Sequence, residues 1–237
     1  MRLAVLRPDP DGERTAAALR GMGHQVLVAP LLRMTPVPVE HLNGPWAAIL
    51  ITSANAIRAL AAHALLPSLQ RIRVLAVGER TAETARAAGF TEVISADGDA
   101  HALAALAAAQ AGGTGAPLLY LAGDDRAFDF AEALARYGIA VHTAVVYRVE
   151  AEKEFPAGLA DSLRSARLDG VLHYSPRSAA TYLRCAVREA MRQAALAPRH
   201  FCLSEQVAAQ IVAAGAAHVS IALQPNEASL FDLLGAD

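Results

Sequence analysis

The chain has 237 residues, 54% of them hydrophobic but only 5% aromatic, and a formal net charge of −2. That length admits two ordinary domains, and the alanine-rich composition favours amphipathic helices packed on small-residue surfaces. The charge excludes the global positive field that draws proteins to nucleic acid or anionic membranes, so any anionic ligand must be held locally.

Taken in chain order, RLAVLR (2–7) reads as a strand ending at Arg7, GERTAAALRGMG (12–23) as a helix closed by Gly21 or Gly23, and HQVLVA (24–29) as a second strand. The first apolar run is too short for a signal segment and no run reaches the length of a membrane span; a soluble, cytoplasmic protein with neither nucleic-acid nor membrane partners is expected. TPVPVE (35–40) places Pro36 and Pro38 two apart, so both missing N–H groups fall on one edge, which suits an isolated two-stranded ribbon. ILITSANAIRAL (49–60) is a strand, a break at Thr52-Ser53 and a helix; RVLAVG, RTAETARAAG and EVISA continue the rhythm to residue 96. AGGTGAP (111–117) lies between a helix and a strand, the wrong order for a phosphate cradle, and reads as a loop. LLYLAGDDRAFDFAEALARYGIAVHTAVV (118–146) is a complete βαβ unit, and AVVYRVEAE (144–152) is a strand whose alternation changes after Val146.

The second half repeats the first. VLHYSPRSAATYL (171–183) matches the strand, turn and helix at 49–60. SEQVAAQIVAAGAAHV (204–219) aligns without a gap on GERTAETARAAGFTEV (78–93), setting Glu205 over Glu79, Gly215 over Gly89 and Val219 over Val93. The βαβ completing the second copy stands at the N-terminus, so that copy is circularly displaced. The expected fold is α/β, with two similar parallel-sheet lobes and a cleft between them. One lobe is discontinuous (1–34 plus 152–237), one is continuous (42–143), and a two-stranded linker (35–41 with 144–151) joins them.

Candidate ligand residues cluster in the turns after the strands, where parallel sheets expose helix N-termini. These are Thr52, Ser53 and Asn55, Gly78 and Thr81, Ser175 and Ser178, Ser204, and Asn226 with Glu227. Each also reads as an ordinary helix cap or first-turn residue, and recurrence at equivalent turns is what raises them above that. Arg7, Arg126 and Arg177 follow strands or open helices and are candidates for ligand carboxylates. Tyr147 is the one phenol in the proposed ribbon and its candidate proton donor. GxSxG, GxxxxGK[ST] and GxGxxG are missing, the eight histidines have no ligand spacing, and Cys185 and Cys202 read as core hydrophobes, so no metal site is expected.

The ordered set LRP, ITSANAIRAL, AVGERTAETARAAGF, VYR, YSPRSAATYL, CLSEQVAAQIVAAG and PNEASL resembles uroporphyrinogen-III synthases over nearly the whole chain. The resemblance implies a lyase that closes hydroxymethylbilane, a linear tetrapyrrole octacarboxylate, to uroporphyrinogen III, losing water and inverting ring D without metal or organic cofactor. It matches the family's linker tyrosine to Tyr147 and its turn residues to Thr52, Ser53, Thr81, Ser175 and Asn226, the last standing where threonine is frequent. No long amphipathic stripe is left over once both lobes are built, so a monomer is expected, with transient contact to the preceding pathway enzyme. The competing reading is a two-lobed intracellular binding or sensing protein for an anionic metabolite.

Overall fold

The computed structural model describes residues 1–39, 42–110 and 115–235. Glu40 and His41 of the expected linker, and most of the AGGTGAP loop, lie outside the described residues. Two compact units are formed, a discontinuous one of Met1–Arg33 with Glu150–Asp237 and a continuous one of Met34–Val149.

The N-terminal stretch gives β1 (Arg2–Val5), α1 (Asp11–Gly21) and β2 (Gln25–Val28), and β3 (Leu32–Pro36) crosses into the continuous unit. That unit holds β4 (Ile49–Ile51), α2 (Ala54–Ala59), α3 (Leu66–Leu69), β5 (Val74–Ala76), α4 (Glu79–Ala87) and β6 (Val93–Ser95). It continues with α5 (Ala100–Gln110), β7 (Leu118–Gly123), α6 (Phe130–Ala135) and most of β8 (Val141–Ala151). The chain returns through α7 (Ala157–Arg164), β9 (Gly170–His173), α8 (Pro176–Arg188) and α9 (Arg192–Leu196). It ends with β10 (Arg199–Cys202), α10 (Glu205–Ala213), β11 (Val219–Ile221) and α11 (Glu227–Asp232).

In the discontinuous unit the sheet order is β11-β10-β9-β1-β2, parallel throughout. In the continuous unit it is β3-β8-β7-β4-β5-β6, parallel from β8 to β6. At its margin Val37 N–H donates to the Val146 carbonyl and Glu152 N–H to the Leu31 carbonyl, both at 2.9 Å. One number falls as the other rises, so β3 runs antiparallel to β8. Val37 points its N–H inward, which leaves Pro36 and Pro38 on the outer edge where a missing donor costs no ladder bond.

The ribbon therefore differs from the isolated linker expected over 35–41 and 144–151. Its first strand lies earlier, at Leu32–Pro36, and its second is the far half of β8, whose near half is hydrogen-bonded to β7. A strand already anchored in a sheet needs no separate core, and the ribbon is that sheet's edge.

Both sheets are covered on both faces, which explains their near-continuous apolar strands. Ile49 and Ile51 enter one core with Ile57, Val74 and Leu121, while Leu50 enters the opposite one with Leu103 and Phe130. In the discontinuous unit Ala4 and Val171 face one core, and Leu3, Val5 and Leu172 the other. Each large side chain removed from water in this way contributes about 1.5–3 kcal/mol. Cys185 and Cys202 are fully buried, and burial pushes their thiols up to about 11 and about 12, so both are packing residues with little thiolate character.

The duplication holds in the strand registers. Ile51 pairs with Ala76, and His173 with Cys202. Gly78, two past Ala76, thus stands to Thr52-Ser53 as Ser204, two past Cys202, stands to Tyr174-Ser175. Gly89 and Gly215, which the repeat superimposes, adopt φ of +90° and +92° just beyond α4 and α10.

Candidate functional site

Each sheet reverses its strand order once, between β4 and β7 in the continuous unit and between β9 and β1 in the discontinuous one. The crevice outside the carboxyl ends of the strands at such a reversal is where open α/β sheets bind ligands.

In the continuous unit Thr52 leaves β4 with its hydroxyl 3.1 Å from the Tyr120 phenol. Ser53 caps α2, accepting from Asn55 N–H at 3.2 Å, and the Asn55 carboxamide in turn accepts from Arg58 at 3.0 Å. Gly78 opens α4 with open space where a Cβ would stand, which leaves the backbone there accessible to close approach. Thr81 lies inside the unit, buried on the face of α4 that carries Ala82 and Ala85. Arg126 is exposed in the loop after β7, where with Tyr120, Phe128, Asp129, Phe130 and Thr143 it lines a concavity of about 480 Å³.

Tyr147 was expected on an isolated linker; it lies on β8 opposite Gly123, the last residue of β7. Its half-buried ring packs against the core of Ile49, Ile51 and Val146. It therefore belongs to the continuous unit, on the β7 side of the reversal.

In the discontinuous unit Ser175 caps α8, accepting from Ser178 N–H at 3.1 Å. The Ser178 hydroxyl points into the interior, 4% exposed as a residue and without a hydrogen-bond partner among the described residues. It occupies the position of Ala56 in the other unit and acts as a small packing residue rather than an edge hydroxyl. Arg177 is exposed in the first turn of α8. Ser204 caps α10, accepting from Val207 N–H at 3.4 Å, and Asn226 caps α11, accepting from Ser229 N–H at 2.9 Å.

Arg7 and Glu227 were expected as separate ligand contacts, but they meet. Arg7 donates to Glu227 Oε1 at 2.9 Å and to Thr15 Oγ1 at 3.1 Å, lies 3.7 Å from the Asp11 carboxylate, and covers the Tyr174 ring at 4.2 Å. Thr15 and Tyr174 also donate to Glu227 Oε1, at 2.5 and 3.0 Å. Burial first, and the Glu227 carboxylate next, hold the Tyr174 phenol far above its ordinary range, so it stays protonated and remains a donor. Arg7 is thus largely neutralised by its own chain, and Tyr174, which follows β9 as Thr52 follows β4, completes the cluster at the reversal.

A second feature escapes the spacing rules. His173 Nε2 and His200 Nδ1 are 3.0 Å apart, both residues fully buried, with Tyr182 edge-on to both rings. Burial lowers both imidazoles, His173 with help from His200, His200 to about 4 against weak opposition from the Leu196 and Ala195 carbonyls. The repeat held the signal: His173 and His200 occupy the positions of Ile51 and Val74, so two polar rings replace an apolar pair. Among the described residues no three His, Cys, Asp or Glu side chains gather as a metal-ion site. A concavity of about 600 Å³ lined by Arg164, Leu168, Met191 and Pro198 lies at the opposite, amino ends of β9 and β10 and does not join these turns.

A model of the family described as Uroporphyrinogen-III synthase HemD matches residues 13–232. The chain belongs to the uroporphyrinogen-III synthase family. This is the family of cyclising lyases of haem biosynthesis. The chain is similar to the crystal structure of uroporphyrinogen-III synthetase from Helicobacter pylori, at 18% identity and a TM-score of 0.65, over 99% of this chain and 98% of that one. It is also similar to a mutant uroporphyrinogen III synthase from the extremely thermophilic bacterium Thermus thermophilus, at 17% identity and a TM-score of 0.56, over 99% and 96%. At these identities the likeness speaks for the α/β fold. No curated protein sequence matches the chain. The matched span begins after Arg7 and includes Tyr147, so the assignment of Arg7 rests on its geometry alone.

Proposed function

We propose that this chain converts hydroxymethylbilane to uroporphyrinogen III, and that the turns after the strands of each sheet receive the carboxylates of that substrate. The observation that carries the reading is the family match across 13–232. The half-buried turns at Ser53, Gly78, Ser175 and Ser204 and the exposed Asn226, with the exposed Arg126 and Arg177, offer hydroxyls, an amide and guanidinium groups to carboxylates. Thr81 and Ser178 contribute by packing.

Loss of the terminal hydroxyl breaks a C–O bond and needs a proton so that water can leave; the product is an electrophilic azafulvene. Tyr147 donates or orients that proton. Attack through the substituted carbon of ring D gives a spiro intermediate, whose cleavage and reclosure invert the ring before a proton is lost to restore the pyrrole. Unassisted closure to the unrearranged isomer competes, so the protein's work is holding one conformation and placing one acid, both of which act through geometry.

On this reading the enzyme is a cytoplasmic monomer that takes its short-lived substrate from the preceding pathway enzyme by transient contact. Among the described residues no helix is long and apolar enough to cross a membrane, and of the exposed large apolar residues Met22 follows α1, Tyr137 follows α6 and Val187 lies on α8. The test is to supply freshly prepared hydroxymethylbilane, oxidise, and measure type III against type I porphyrin. A type III excess is expected; a ratio equal to the protein-free control overturns the activity. Tyr147→Phe should lower turnover, and full turnover with intact isomer selectivity overturns its role.

A further inference from the structure

We propose that Gly123 is a positioning residue for Tyr147: the missing side chain at the end of β7 is what sets the place of the phenol. The proposal rests on the reading of Tyr147 as the acid, and it concerns how that acid is aimed.

The β7–β8 ladder advances one residue for one from Leu118↔Val141 to Ala122↔Val145, then jumps to Gly123↔Tyr147. Val146 is left without an opposite number, which is a β-bulge. Strict alternation would send Tyr147 to the face opposite Ala144 and Val146. The bulge changes the phase, and all three pack against the same core. This is the physical form of the altered alternation after Val146.

Having been turned to that face, the phenol end of the ring packs against Gly123. A Cβ on Gly123 would stand 2.8 Å from Tyr147 Cζ and 3.0 Å from both Cε2 and the phenol oxygen, where ordinary carbon contacts are about 3.5–4.0 Å. The three nearest atoms all belong to Tyr147. Gly123 is not among the glycines of positive φ, so its backbone would accept an L side chain. What glycine supplies here is volume, and Tyr147 fills it.

The backbone around Tyr147 is held in place, so a clash at 123 falls on its side chain. Asp124 N–H donates to the Tyr147 carbonyl at 3.1 Å, and the Asp124 carboxylate holds the adjacent Arg148 at 3.1 Å. With the backbone pinned, a Cβ at 123 must rotate the ring and carry the phenol oxygen by about an ångström, a displacement of the kind that costs roughly a hundredfold when a reacting group is misplaced. The location gives this consequence. Leu121 pairs with Ile51, the last residue of β4, so Gly123, two residues on, ends β7 at the same carboxyl edge as the Thr52-Ser53 turn, and the phenol is held on the β7 side of the strand reversal.

The experiment compares Gly123→Ala, Tyr147→Phe and the double variant in the full chain, using hydroxymethylbilane as substrate. Gly123→Ala should lower kcat about tenfold or more, leave KM within about twofold, and reduce the type III fraction as unassisted closure gains. The double variant should be no slower than Tyr147→Phe. Wild-type kcat for Gly123→Ala alongside a slow Tyr147→Phe overturns the positioning role and leaves the acid in place. Full turnover by Tyr147→Phe overturns the acid instead; positioning is then read from the ring resonances of ¹³C-labelled Tyr147, and unmoved resonances in Gly123→Ala overturn it. If Gly123→Ala fails to fold, Gly123→Ala/Tyr147→Leu should recover the fold, and failure to recover it also overturns the proposal.

Discussion

A single carboxylate oxygen, Glu227 Oε1, collects donors from Arg7, Thr15 and Tyr174. Such a saturated acceptor fixes all of its partners, and Arg7, stacked on Tyr174 and only 10% exposed at its side chain, has little left to offer a ligand. Arg7→Ala would remove the more buried of two cations shared by Glu227 and Asp11, leaving the more exposed Arg14 at 3.9 and 3.6 Å, and would uncover the Tyr174 ring. Because Glu227 is partly exposed, solvent offsets part of that cost, and a loss of about 2 kcal/mol is expected, measured as a lower urea midpoint. Tyr174→Phe removes one donor of three and should cost about 1 kcal/mol. Arg177→Ala, at an exposed position, should leave the midpoint unchanged and raise KM more than it lowers kcat. The sequence shows that Arg7 ends a strand and Glu227 opens a helix, but a pairing across most of the chain's length has no local signature.

At the scale of elements, periodicity made the repeated strand–turn–helix units visible, while α3, α7 and α9 were not read from it, and α5 and β10 only as the neighbours of a loop and a turn. Strand, turn and helix at 49–60 and 171–183 appear as read, and Ser53, Ser175, Ser204 and Asn226 are all side-chain caps. The ribbon was displaced because Leu32 and Arg33 have no proline to mark them as edge, and because a strand's partner is set by its sheet. The His173–His200 contact joins β9 to β10 and makes the unit sensitive to acid. Burial lowers both imidazoles in the folded chain, so unfolding takes up protons below the ordinary histidine value of 6.5. Stability contributed by the neutral pair is complete above pH 6.5 and declines as the pH falls toward about 4, the value to which His200 is lowered. For His200 alone the full decline is roughly 3 kcal/mol, of which about 1.4 kcal/mol falls between pH 7.5 and 5.5. Urea unfolding across that interval measures it. His173→Leu/His200→Leu, which restores the apolar pair found at Ile51 and Val74, should flatten this part of the profile.

The whole molecule is one fold written twice with the second copy cut at a different place, and this was legible because the aligned halves carry both their turns and their helix-ending glycines in register. Alignment could not show which cores close independently. The structure divides them cleanly: the clusters built on Ile49 and Leu50 draw every buried member from 42–146, and those built on Ala4 and Leu3 draw theirs from 3–31 and 155–234. The segment 32–151, which keeps β3 and β8 whole, therefore holds two complete cores at a size ordinary for a domain. Expressed alone it should unfold in a single cooperative urea transition followed by circular dichroism. The segment 152–237 should not, since β9 would lose β1, whose Leu3, Ala4 and Val5 are fully buried between its two cores. Adding the 1–31 segment should restore the transition, because it returns β1, α1 and β2 in the order that the continuous unit carries as β7, α6 and β8. A cooperative transition in 152–237 without that segment would show that the cut falls elsewhere.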